Sequence, residues 1–146
     1  MKLILFLAGL FSISSHSFAV CDLALSAGND ISYDSELKEV SKDCKTYTVK
    51  FKHKGTLPDY AMGHNVVVAE EKNIKKILHL MAKNKDQGDL NFESSLVIGK
   101  TKILGGKQSG NFSFTIEEEQ KNNIELAYFC SFPGHSKYMR GKIVLK

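Results

Sequence analysis

From Tyr47 to His53 the side chains change character at every step. Tyr47, Val49, Phe51 and His53 fall on one face of an extended chain, and Thr46, Thr48, Lys50 and Lys52 fall on the other. A period of two fits a strand with one buried face and no amphipathic helix. "GNFSFTI" repeats the pattern with Phe112, Phe114 and Ile116 on one side. Short β-branched or aromatic runs elsewhere read as further strands: "CDLALSA", "HNVVVAE", "SSLVIGKTKILGG" running into a Gly-Gly turn, "ELAYFCS" and "GKIVLK". Many short strands separated by turn residues imply an all-β fold, a Greek-key β-sandwich or barrel. One segment departs from it. In "EEKNIKKILHLMAKNKDQG", Ile74, Ile77, Leu78 and Met81 recur at helical spacing, behind Glu70 and Glu71 and before Gly88. This predicts one amphipathic helix outside the sandwich, its lysines forming a solvated face and His79 on the surface.

The first nineteen residues read as a separate segment. Lys2 precedes the apolar run Leu3–Phe11, which is too short to span a bilayer, and Ser17 and Ala19 supply the small residues of a peptidase site. The reading is a signal peptide over 1–19 cleaved after Ala19 and one domain over 20–146. No other stretch is long and apolar enough to cross a membrane. The formal charge is +4, spread along the chain, and Arg140 is the only arginine. That pattern does not indicate nucleic acid. The three cysteines, Cys21, Cys44 and Cys130, are an odd number for an exported chain, so two could pair and one is left over.

Cys130 has metal-binding company. It stands in Cys-x4-His-x3-Met with His135 and Met139. Thiolate, imidazole and thioether are soft ligands, and methionine suits zinc poorly. One cysteine, two histidines and a weak axial methionine form the ligand set of an electron-transfer copper site. A second histidine is therefore needed. His53, His64 and His79 are available, and His64 stands out in "AMGHNVVV". Gly63 before it lets the backbone come close to a metal.

"MGHN" at Met62–Asn65 together with "FCSFPGHSKYM" at Phe129–Met139 resembles the azurins, the bacterial blue-copper branch of the cupredoxin family. "CDLALSAGND", "HKGTLPDYAMGHN" and the closing "GKIVLK" extend the likeness over nearly all of residues 20–146. The resemblance implies a cupredoxin-like sandwich holding one type 1 copper per chain. His64, Cys130 and His135 would form its trigonal plane. Met139 would be the long axial sulfur and the Gly63 carbonyl the opposite contact. It also implies a Cys21–Cys44 disulfide, and an Asn65 that ties the two ligand loops together. His53 resembles a buried family histidine near the site, which could couple pH to the copper. Leu57, Met62, Phe132 and Pro133 would make the apolar docking surface around the His135 edge. The implied function is a periplasmic, monomeric electron carrier rather than an enzyme. Its redox partners would be of the c-type cytochrome, copper nitrite reductase or peroxidase-like kind. A copper-trafficking protein that exchanges no electrons is the alternative.

The sequence also departs from the family. Val66 stands where tryptophan is common, and the chain has no tryptophan. Lys137 and Tyr138 place a charge and a hydroxyl at the docking rim. Lys100 stands where some azurins carry histidine.

Overall fold

In the computed structural model, which describes residues 19–83 and 95–146, the alternating stretch forms strand β3 (Tyr47–His53). Its odd-numbered residues are buried and its lysines point outward. β3 lies between β1 (Asp22–Ala27), to which it is parallel, and β6 (Ser109–Phe114), to which it is antiparallel. The second sheet has the order β2-β8-β7-β4-β5. These strands are β2 (Leu37–Val40), β8 (Arg140–Leu145), β7 (Leu126–Phe129), β4 (Val67–Glu70) and β5 (Val97–Lys100). β2 pairs with β8 in parallel, and the other pairings of this sheet are antiparallel. The molecule is a two-sheet β-sandwich.

The central strands of the second sheet do not alternate, and the helix explains why. β4 and β7 are buried along nearly their whole length because both of their faces are covered. Val68, Leu126 and Tyr128 face the first sheet, where they meet Leu23, Tyr47, Val49 and Phe51. Val67, Ala69, Ala127 and Phe129 face outward and are roofed by helix α2 (Ile74–Lys83). Ile74 and Ile77 are its buried anchors, with Leu78 and Met81 packed beside them, as the helical spacing requires. A short 3-10 turn over Glu71–Asn73 leads into α2. His79 is exposed on it. The expected stop at Gly88 lies outside the described residues, as does all of residues 1–18.

Two elements have neither a periodic nor an apolar-run signal. β2 is an edge strand of sequence LKEV, and α1 (Asp59–Met62) is a single turn after Pro58. The strand expected to run into Gly105-Gly106 stops at Lys100; beyond it Leu104 makes an isolated bridge to His64. Cys21 and Cys44 form a disulfide across 23 residues, which ties the start of β1 to the loop before β3. Cys130 is the remaining free, buried cysteine.

Candidate metal centre

Three loops meet at one end of the sandwich. His64 sits between α1 and β4 and is fixed by two backbone hydrogen bonds with Leu104, at 3.0 and 2.8 Å. Gly63 precedes it because space runs out there. A Cβ would run into the Asp59 carbonyl and the Phe132 ring. Cys130 follows β7. Its N–H donates to the Met139 carbonyl at 3.0 Å, and the Met139 N–H donates to the His135 carbonyl at 2.9 Å. The loop of residues 130–139 is thereby closed on itself between two paired strands. Gly134 turns it with φ of +82°, a left-handed conformation suited to glycine. His135 then opens a 3-10 turn, His135–Lys137.

The result is a cluster of donor atoms. Nδ1 of His64 and Nδ1 of His135 are 3.2 Å apart, and Cys130 Sγ lies 3.9 and 3.7 Å from them. For bonds of about 2.0 Å to nitrogen and 2.3 Å to sulfur, a metal centred in a trigonal plane needs donors roughly 3.5 to 3.8 Å apart. The three residues therefore fit a first-row metal ion. All three are buried, and His64 Nε2 has no hydrogen-bond partner in the structure. Met139 is fully buried at the far end of the same loop. His53 stacks on His64 with ring centroids 4.8 Å apart, while its own nitrogens are engaged elsewhere. Its Nε2 donates to the Met62 carbonyl at 2.8 Å, and its Nδ1 accepts from the Gly55 N–H at 3.1 Å. That bonding leaves His53 as packing behind the cluster.

Electrostatics leave the donors uncharged. Burial, then the neighbouring rings of His135 and His53, lower the pKa of His64 to about 4. Burial lowers that of His135 as well. Burial pushes the Cys130 thiol up to about 11, against a smaller opposing pull from backbone N–H groups of Asn65 and Phe132. Neutral imidazoles have free lone pairs, so both rings are ready to bind a cation.

Asn65 joins the two loops. Its Nδ2 donates to Ser131 Oγ and its Oδ1 accepts from the Ser131 N–H, both at 2.8 Å and both buried. Around the cluster, Leu57 and Pro133 are exposed, and Met62 and Phe132 are half-buried. The Phe132 ring lies 4.6 Å from that of His135. Two tyrosines near these residues along the chain are well exposed: Tyr60, 83%, and Tyr138, 63%. Sequence reasoning missed Tyr60, although its place in "LPDYAM" beside Leu57 and Met62 was a usable signal. It also missed Tyr33 and Thr101, which nothing in their local sequence marks.

The family model of the copper binding proteins, plastocyanin/azurin family, matches residues 19–146. The chain belongs to that family. It is 33% identical to the azurin of Pseudomonas fluorescens biotype C over 129 residues, which is 88% of this chain and all of that one. It is also 33% identical to the azurin of Bordetella pertussis, over 87% of this chain and 85% of the relative. Among solved structures it is similar to the azurin Az-iso2 of Methylomonas sp. strain J, with a TM-score of 0.76 and 31% identity. That match covers 86% of this chain and 98% of the other. The sandwich is thus a cupredoxin fold, its cofactor is copper, and the protein is a blue-copper electron carrier rather than an enzyme.

Proposed function

We propose that residues 20–146, freed of a signal peptide, act in the periplasm as a carrier of single electrons between redox proteins. Partners of the c-type cytochrome and copper nitrite reductase kind fit this reading. His64 Nδ1, Cys130 Sγ and His135 Nδ1 would hold the copper, with the Met139 sulfur and the Gly63 carbonyl as weaker contacts. Bound copper supplies a one-electron couple between Cu(II) and Cu(I). The protein's part is to keep the ligands from moving when the charge changes. The convergence of three buried donors from two loops, tied by Asn65 and Ser131, is the observation that carries the reading. His135 is 4% exposed, while His64 and Cys130 are fully buried, so its ring edge is the shortest way out for the electron. The apolar rim of exposed Leu57 and Pro133 and half-buried Met62 and Phe132 gives a partner a surface that excludes water around that edge.

The test is a visible spectrum. Copper(II)-loaded protein is expected to be intensely blue through charge transfer from the Cys130 thiolate, and Cys130→Ser to lose the band. Stoichiometric, tightly bound, colourless copper in the wild type would replace the carrier reading with one of copper trafficking.

A further inference from the structure

Beside the cluster, a single peptide unit is held at both ends by buried hydroxyl groups. The Asn65 carbonyl accepts a hydrogen bond from Tyr33 Oη at 2.5 Å. The N–H of the same peptide unit, that of Val66, donates to Thr101 Oγ1 at 3.0 Å. Tyr33 lies in the connection between β1 and β2, bridged to Ala27, and Thr101 follows β5, so the two hydroxyls reach this unit from opposite sheets. Both residues are buried. Thr101 also donates its backbone N–H to the Val66 carbonyl at 2.9 Å. The Tyr33 ring is itself wedged edge-on between Phe51 and Tyr128, at 6.0 and 5.3 Å.

What this unit carries gives the clamp its consequence. Asn65 follows His64 directly. Its side chain makes both hydrogen bonds to Ser131, next to Cys130, and hydrogen bonding from its backbone N–H pulls the pKa of the Cys130 thiol down against burial. A hydrogen bond to that sulfur withdraws electron density from it, which stabilises the reduced, electron-richer state of a copper–thiolate centre. The angle and length of that bond depend on where the Asn65 backbone sits.

We propose that Tyr33 and Thr101 are positioning residues for the copper centre: their hydroxyls clamp the Asn65–Val66 peptide, and through it set the N–H hydrogen bond to the Cys130 sulfur. The clamp tunes the reduction potential without touching the metal, and it rests on the copper reading above.

Tyr33→Phe removes one oxygen and keeps the ring in its wedge. Tyr128→Phe is the control. Its hydroxyl is also spent on a carbonyl, that of Ser35 at 2.6 Å, but on a segment that carries no ligand. In the copper-loaded protein, Tyr33→Phe is expected to lower the reduction potential and move the charge-transfer band to longer wavelength. Thr101→Val should act in the same direction, and Thr101→Ser, which keeps the hydroxyl, should restore the wild-type values. Tyr128→Phe should lower the melting temperature and leave band and potential in place. If Tyr33→Phe and Thr101→Val reduce stability but match the control in band and potential, the clamp is structural only and the proposal falls. If the copper-loaded wild type shows no charge-transfer band, the copper reading falls and takes the clamp with it.

Discussion

Cys130 keeps its proton until a metal displaces it. Burial holds the thiol near 11 and His64 near 4, so at neutral pH the metal-free cluster has a protonated sulfur and uncharged rings. Copper binding must therefore expel the thiol proton. From neutral pH up to about 11 the free site carries that proton and the loaded site does not, so apparent affinity should rise by about tenfold per pH unit. Toward lower pH the slope should steepen, because His135, and near pH 4 His64, must lose a proton as well. Calorimetry in buffers of different ionisation enthalpy should count about one proton released per copper near pH 7. A count of zero would mean the sulfur is not a ligand. At this scale the sequence was legible where chemistry is rare: a lone cysteine, a histidine and a methionine in one short stretch cannot be mistaken for surface. Tyr33 and Thr101 were invisible, because which hydroxyl meets which carbonyl is decided by the packing of two sheets and leaves no pattern along the chain.

Among the elements, the strands with one buried face were legible and those at the margins were not. β3 and β6 betray themselves by alternation, and α2 by its spacing of apolar residues. β2 does not, since an edge strand of LKEV buries only Val40 fully and gains its pairing from β8. α1 is one turn long and buries nothing. The helix does more than cover a face. By roofing Val67 and Phe129, it presses on the two strands that lead from His64 and into Cys130. Ile77 is its fully buried anchor. Ile77→Ala should destabilise the fold by about 2–5 kcal/mol. The ligand loops lie at the end of the strands and are closed by their own hydrogen bonds, so the blue band should survive. Thermal unfolding read alongside the visible spectrum checks this; loss of the band in still-folded protein would show that the roof also holds the ligands.

The whole molecule has two unlike ends. One is stapled by the Cys21–Cys44 disulfide, whose 23-residue separation corresponds to about 3 kcal/mol in the chain-entropy account. The other carries the metal cluster inside an apolar rim, with Lys137 standing over the Tyr138 ring at 5.1 Å. If electrons leave by the His135 edge, every productive encounter must bring a partner onto that rim. Two copies exchanging electrons with each other must bring rim to rim. Met62 is half-buried there, and its side chain is no proposed ligand. Met62→Lys puts a charge into both faces of the self-exchange encounter, where like charges meet in a poorly hydrated contact. Self-exchange should slow by about tenfold or more, with spectrum and potential nearly unchanged, and part of the loss should return at high salt as the repulsion is screened. Lys137→Ala should act in the opposite sense, removing a rim charge and flattening the salt dependence. Exchange measured by NMR line broadening across a range of ionic strengths separates the two. An unchanged rate in Met62→Lys would mean that the electron does not leave through the His135 edge, even with the copper still held by the same ligands.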